Sequence, residues 1–461
     1  MTDYVCHAYT TGFLQHLADL GEFAPGTRVA IAGDLRPSTP RIMTACAQAV
    51  RDLGGEPVFC GFVPTPALAL YAFGQGIPSL MVTGSHIPDD RNGIKFYRPA
   101  GEVLKEDEAG MRGQIIATDA TAFDAEGALV TPAPLPELTD VSGAYVERYV
   151  DFFGADALAG LTIAVYQHSA VGRDILVDVI DALGGKGVPI GRATKFIPVD
   201  TEAIRPEDVE LAKGWAAEFG FDAIISTDGD SDRPLLADHT GEWLRGDVLG
   251  VLCARALRAQ AVITPVSSNT VLERCGAFPI TDRTRIGSPF VIAAMNAQLA
   301  KGAGPVVGFE ANGGFLLGST LGSLVALPTR DAVLPILAVI IAALPGRIRD
   351  LLDALPPRVT YSDRIQNFAT ERSEAMFATL LTGDEAEQIA RLNSHFGGIA
   401  GAVVAVDLTD GIRMTTDQGA IIHLRRSGNA PELRCYSESD SAEAAAEINK
   451  AALAIVQDRL A

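Results

Sequence analysis

A strand–helix–strand plan that recurs three times along the chain limits its fold more than any other feature of the sequence. Residues 28–61 read RVAIAGDLRPSTPRIMTACAQAVRDLGGEPVFCG. The first six are apolar enough for a buried strand, and a polar turn follows. Ser38 is placed to cap a helix that has Pro40 in its first turn, with Ile42, Cys46, Ala49, Val50 and Leu53 at helical spacing. Gly54-Gly55 stops this helix and Pro57-Val58-Phe59 starts the next strand. Residues 161–191 repeat the plan: strand LTIAVYQ, turn HSAVG, stripe Ile175, Leu176, Val179, Ile180 and Leu183, stop Gly184-Gly185, then VPIG. A looser third copy, AVITPVSSNTVLERCGAFPITD, begins at Ala261.

Each copy leads to a further apolar strand that ends in a polar loop: SLMVTGSHIPDDRNGIKFY (79–97), DAIISTDGDSDRPLLAD (222–238) and PVVGFEANGGFLLGS (305–319). Units of this length imply parallel pairing through right-handed crossovers. Ligands in such sheets sit at the carboxyl ends of the strands, where all three loops begin. The Pro-rich segments TPAPLPELTD (131–140) and DALPPRVTY (353–361) read as linkers. Beyond the second, apolar and polar residues alternate with turns at Asp410-Gly411 and Gln418-Gly419, as in an antiparallel meander. A terminal helix from about Ser441 to Leu460 would bury Ile448, Ala452, Ile455 and Val456. The expected fold is therefore three related α/β domains with mixed, mainly parallel sheets, at 1–135, 141–250 and 251–352. A smaller α+β domain at 358–461 would complete them around a central cleft.

The length of 461 residues fits such a count at roughly 100–200 residues per domain. A net charge of −20 argues against nucleic acid and anionic membrane as partners, so an anionic substrate needs a local basic pocket. Six cysteines without a C-x-x-C pair argue against a disulfide framework and a Cys-ligated zinc, and fit a cytoplasmic location. The N-terminal MTDYVCHAYTTGFLQHL lacks the basic and apolar regions of a signal peptide. Ala332 to Leu344 is the most apolar stretch; it is too short to span a bilayer and reads as a buried helix.

Four loops offer chemistry. Thr83-Gly84-Ser85-His86-Ile87-Pro88, leading to Asn92-Gly93-Ile94-Lys95, puts a hydroxyl beside a histidine and a cation, suited to a nucleophile or phosphoryl carrier. Alone, it reads equally as a polar turn. Asp228-Gly229-Asp230-Ser231-Asp232-Arg233 places three carboxylates at alternate positions, a hard oxygen set that suits Mg²⁺; a solvated acidic turn is the alternative. An EF-hand is excluded, because the twelfth position from Asp228 is His239. Glu310 and Asn312 in GFEANGG could read adjacent hydroxyls, although a plain Gly-rich turn is as good a reading. Arg425-Arg426-Ser427-Gly428-Asn429-Ala430-Pro431, closing on Arg434, offers an anion cradle or a solvated hairpin. Four such loops, one per domain, make coincidence a poor account.

These motifs resemble those of the α-D-phosphohexomutase superfamily, the phosphoglucomutases and phosphomannomutases. TGSHIPDDRNGIKFY resembles the active-serine loop T-[AG]-S-H-N-P…N-G-x-K, with Ile87 for Asn, and DGDSDR resembles the metal loop D-G-D-G-D-R, with Ser231 for Gly. FEANGG is similar to the sugar loop G-E-x-S-G, with Asn312 for Ser, and RRSGNAP to the phosphate loop R-x-S-[GN]-T-x-P, with Asn429 for Thr. Arg283-Thr284-Arg285-Ile286-Gly287 resembles a sugar-phosphate segment of the third domain, and GDLRPST the turn G-x-D-x-R-x-S. The variant loops look most like a bacterial phosphomannomutase branch. Family members begin with a strand and a G-T-S-G-[IL]-R-G turn, whereas this sequence is expected to start inside the helix that follows them.

The resemblance implies a Mg²⁺-dependent mutase that interconverts hexose 6-phosphate and hexose 1-phosphate, mannose being the expected hexose and glucose the alternative. Ser85 would carry the phosphoryl group and, with Asp228, Asp230 and Asp232, hold the metal. His86 and Lys95 would handle protons, and Arg233 would add positive charge. Glu310, Asn312, Arg283, Arg285, Arg425, Ser427, Gly428 and Asn429 would bind the phosphosugar. A hexose bisphosphate would serve as intermediate and activator. A phosphatase and a non-catalytic sugar-phosphate binder are the rival readings.

Overall fold

The computed structural model describes residues 1–427 and 431–460, and in it the sequence repeat becomes a repeat of topology. The first sheet contains β1 (Arg28–Gly33), β2 (Glu56–Phe62), β3 (Ser79–Val82), β4 (Ile94–Arg98) and β5 (Gly101–Glu102), in the order β2-β1-β3-β4-β5. The second contains β6 (Thr162–His168), β7 (Lys186–Arg192), β8 (Ala223–Thr227) and β9 (Pro234–Ala237), in the order β7-β6-β8-β9. The third contains β10 (Ala261–Pro265), β11 (Ile280–Thr284), β12 (Val306–Phe309), β13 (Phe315–Leu317) and β14 (Leu327–Asp331), in the order β11-β10-β12-β13-β14. In all three, the first strand lies between the second and third and is parallel to both, and the fourth returns antiparallel to the third. The polar loops fall at that reversal.

The central strands β1, β6 and β10 are buried along almost their whole length, as strands with helices on both faces must be. The crossover helices Thr39–Asp52 and Arg173–Ala182 bury the expected stripes, with Leu53 and Leu183 just beyond their last turns. Ser38 does occupy the N-cap of the first helix, but its hydroxyl makes no capping bond. It instead accepts from Asn92 Nδ2 at 3.0 Å, which ties the helix start to the Ser85 loop.

The fourth sheet contains β15 (Val359–Gln366), β16 (Val403–Asp407), β17 (Ile412–Thr416), β18 (Ile421–Arg426) and β19 (Glu432–Ser439), all antiparallel in the order β15-β19-β18-β17-β16. Its first strand takes up the end of the Pro-rich segment, shortening the linker expected at 353–361. The terminal helix is α-helical over Ala442–Ile455 and widens over Val456–Leu460; Ile455 is only partly buried.

The strands of the four sheets fall within residues 28–102, 162–237, 261–331 and 359–439. The helix Gly246–Ala256 crosses position 250 and packs on the helix Val333–Ala342, so it goes with the third sheet. Val333–Ala342 is the buried apolar helix expected at Ala332–Leu344, and no helix among the described residues is long and apolar enough to cross a membrane. One apolar core runs through the first three sheets, helped by Tyr145 and Tyr149, which donate to Asp331 at 2.8 and 2.6 Å. A separate core, from Phe368 to Val456, belongs to the fourth sheet.

Residues 358–461 should therefore fold as an isolated fragment with a single cooperative urea transition, and a non-cooperative fragment would contradict this division. His423 in that unit is buried, donates Nε2–H to the Asp410 carbonyl at 2.6 Å, and is pushed by burial down to about 4. An unfolded histidine titrates near 6.5, so the fragment keeps full stability above that pH and loses it as the pH falls toward 4. His423→Gln is expected to flatten the fall in urea midpoint between pH 6.5 and 4; an unchanged slope would count against the assignment.

Candidate active site

Ser85 sits in the β3–β4 loop with φ 51°, a left-handed conformation that costs a side-chain-bearing residue about 1–2 kcal/mol. Its backbone N–H donates to Thr83 Oγ1 at 2.7 Å, and that hydroxyl donates to buried Asp34 at 2.8 Å. Ser85 Oγ thereby reaches across to the second sheet and donates to Asp228 Oδ2 at 2.6 Å.

The β8–β9 loop is a turn sealed from solvent: Asp228, Asp230 and Asp232 all have zero exposure. One oxygen from each lies within 4.8 Å of the others. Ser231, where the resembled motif has Gly, takes φ 60°. Its hydroxyl accepts from Gly172 N–H at 2.9 Å and from Thr227 Oγ1 at 2.8 Å, which offsets the strain of that conformation. Asp228 Oδ1 faces the amides of Asp232 and Arg233 at 3.2 Å.

Cations from three sheets surround the acids. Lys95 Nζ lies 2.5 Å from both Asp230 and Asp232. Arg233 Nε is 3.9 Å from Asp228 and 3.7 Å from Asp232. Arg330 on β14 donates to Asp232 at 2.9 Å and to Glu310 at 3.1 Å. Burial, and then repulsion from Asp230 and Asp232, pushes the Asp228 carboxyl well above the usual carboxylate range. Burial acts the same way on Asp232, but Arg330, Lys95 and Arg233 overcome it and hold that group low. Burial would lower Lys95, yet its two carboxylates outweigh this and keep it an ammonium. The result is a nearly balanced knot of charge whose carboxylates are closed off from solvent, where electrostatic effects are strong.

The arrangement suits a divalent cation. Asp230 Oδ1 and Asp232 Oδ1 are buried with no hydrogen-bond partner. Orphaned buried carboxylate oxygens are costly, and with Asp228 they form the hard oxygen set that such an ion takes.

His86 Nδ1 lies 2.8 Å from Arg233 Nη1 and 3.5 Å from Ser85 Oγ. A guanidinium only donates, so Nδ1 accepts. Burial, and then the Arg233 charge, lowers the pKa of this histidine and keeps it neutral. Glu310 joins the cluster through Arg330, while the Asn312 side chain accepts from Gly314 N–H at 3.0 Å in the same turn.

Other expected ligands lie apart. Arg283 spends all five guanidinium donors on the protein: two on Glu273 and one each on the carbonyls of Pro265, Ser268 and Asn269. In this arrangement it holds that loop in place. Arg285 Nε donates to the Thr409 carbonyl at 3.2 Å and Arg425 Nε to Asp410 at 2.9 Å. Asp410 also accepts from Ile286 N–H, so these two arginines line the junction of the third and fourth sheets. Ser427, two residues after Arg425, is buried, and Gly428 and Asn429 lie outside the described residues.

Two residues of the cluster escaped the sequence reading. Arg330 stands in LPTRD, just before the apolar helix; the available signal was a lone cation in a short alternating strand. Thr65, whose hydroxyl donates to Asp230 at 2.7 Å, opens a helix of domain I and carries no motif.

Models of the phosphoglucomutase/phosphomannomutase family match this chain in three places: alpha/beta/alpha domain I over residues 1–122, alpha/beta/alpha domain III over 245–359 and the C-terminal domain over 381–455. A phosphomannomutase of Sinorhizobium fredii (strain NBRC 101917 / NGR234) is 44% identical over 460 residues, covering 98% of this chain and 95% of that protein. A phosphomannomutase of Salmonella muenchen is 42% identical over 464 residues, covering 100% and 93%. A phosphoglucomutase/phosphomannomutase family protein of Burkholderia thailandensis shares the fold with a TM-score of 0.76 at 21% identity, over 99% of this chain and 94% of that one.

A divalent cation should raise the thermal midpoint of the protein by a few degrees, since a ligand bound at about 100 times its Kd adds ~2.7 kcal/mol. Asp230→Asn should abolish the rise. A shift that survives this substitution would place the ion elsewhere.

Proposed function

Because the chain belongs to the phosphoglucomutase/phosphomannomutase family, we infer that it interconverts hexose 6-phosphate and hexose 1-phosphate, with mannose as the hexose. Full-length similarity to two phosphomannomutases supports the sugar, and the 2.6 Å contact between Ser85 Oγ and the buried Asp228 carries the chemistry.

In this reading Ser85 carries the phosphoryl group of the resting enzyme, and Asp228, Asp230 and Asp232 hold Mg²⁺. The bound ion supplies charge neutralisation for the phosphoryl group. The free hydroxyl of the sugar attacks the phosphoserine, leaving Ser85 as the free serine and giving a hexose bisphosphate. After the intermediate turns over in the cleft, its other phosphate returns to Ser85. The same bisphosphate, added from outside, would load an unphosphorylated enzyme.

Lys95, Arg233 and Arg330 surround the position of the transferring group and stabilise its oxygens. Lys95 is held as an ammonium, whereas His86 is neutral. His86 is therefore the candidate to take the proton of the attacking hydroxyl, once Nδ1 parts from Arg233. Glu310 and Asn312 would read ring hydroxyls, and Arg285, Arg425, Ser427, Gly428 and Asn429 would grip the phosphate that is not reacting. The fourth domain, on its short Pro-rich linker, would close over the sugar and keep water from the phosphoserine. Six unpaired thiols support a cytoplasmic setting.

Ser85→Ala is expected to remove mutase turnover while leaving the circular dichroism and thermal midpoint unchanged. Intact mass should show one added phosphoryl, about 80 Da, on the native protein and none on the variant. Near-native turnover by Ser85→Ala would overturn the phosphoserine role, and release of free phosphate without hexose 1-phosphate would point to hydrolysis.

A further inference from the structure

One buried guanidinium beneath the Ser85 loop takes no part in the chemistry described so far. Arg36 lies just after β1 and its side chain has zero exposure. Its Nε donates to Asp34 at 3.0 Å. Nη1 donates to the carbonyls of Pro88 at 2.7 Å and Arg91 at 2.9 Å, and Nη2 to those of Ser85 at 2.7 Å and Ile87 at 2.6 Å. All five donors are spent, four of them on backbone carbonyls of a single loop.

These bonds differ from those of a core arginine that only neutralises a carboxylate. Carbonyls that would otherwise face water are turned inward onto one planar fork, so the path of the loop is set by the geometry of the guanidinium. The Ser85 carbonyl is among the four, and this residue carries the left-handed backbone. Asp34 links the two ends of the arrangement, accepting from Arg36 and from Thr83, whose hydroxyl in turn receives Ser85 N–H. Gly84 leaves no space beside the fork: a Cβ there would stand 2.8 Å from Arg36 Cζ. On the other face, the guanidinium lies 4.1 Å from the centroid of Phe196, a residue beyond β7 in the second sheet. The fork is thus clamped between the loop that carries Ser85 and the domain that carries the acidic turn.

We propose that Arg36 is a positioning residue for phosphoryl transfer, fixing the Ser85 loop so that Oγ faces the Asp228 turn. The role in transfer rests on the phosphoserine reading of Ser85; the role in shaping the loop does not. A lysine at this position keeps one charge but has three donors on a flexible stem, which cannot reach five acceptors spread along a plane.

The test is Arg36→Lys in the full chain, with two measurements: amide hydrogen exchange, and steady-state kinetics on mannose 1-phosphate with a hexose bisphosphate activator. Exchange over residues 84–92 should rise by about tenfold or more while residues 228–233 stay protected. The kcat should fall by about 100-fold with KM little changed, the signature of a misplaced reacting group. Native exchange over 84–92 in a folded variant, or a kcat within about twofold of native, would overturn the proposal. Native protein without turnover would instead sink the mutase reading, and the exchange result would still decide the loop. Should Arg36→Lys fail to fold, Gly84→Ala presses a methyl against the same fork with its charge intact, and the same two readouts with the same outcomes apply.

Discussion

Three carboxylates sealed in one turn repel each other and lose most of their hydration, and the rest of the architecture answers that penalty. Compensation comes from separate parts of the chain: Lys95 on β4, Arg233 beside β9 and Arg330 on β14. Each is positioned by its own sheet, so the acidic turn is balanced only when three sheets dock together. Packing and electrostatics therefore depend on each other. The continuous core through the first three sheets holds the cations in place around the acids.

The repeated topology explains why a site can form there at all. Each of the three sheets reverses direction after its third strand, and that reversal leaves a short loop at the carboxyl edge. Three copies of one plan thus deliver three loops, whose sequences then diverged in chemistry: a hydroxyl, an acid cluster and a carboxylate with an amide. The fourth unit has its own core and antiparallel plan. At the junction with the third sheet its Arg425 is anchored on Asp410, and Arg285 of the third unit reaches the Thr409 carbonyl, so an anion gripped there would tie the two units together.

Much of this was legible in the residues because it rests on local rules. Alternation, helical stripes and Gly stops placed the strands and crossover helices, and the spacing of the acidic turn marked it as a candidate cation site. What stayed hidden depended on partners distant in sequence. Ser38 has the identity of a helix cap but serves Asn92, since a loop fifty residues away offers it a better donor. Arg283 lies in a segment that resembles a ligand motif, yet its own neighbours use every one of its donors. Arg330 has no motif around it; only the docking of the third sheet brings it to Asp232.

The central claim is that the Ser85 loop and the acidic turn together form a divalent-cation site for phosphoryl transfer. Anomalous diffraction from crystals of the phosphorylated protein soaked in Mn²⁺ addresses it directly. The account requires one peak bridging the carboxylates of Asp228, Asp230 and Asp232 and an oxygen on Ser85, with Lys95 Nζ moved off Asp230 and Asp232. A peak elsewhere, or an acidic turn still occupied by Lys95 at saturating Mn²⁺, would contradict it.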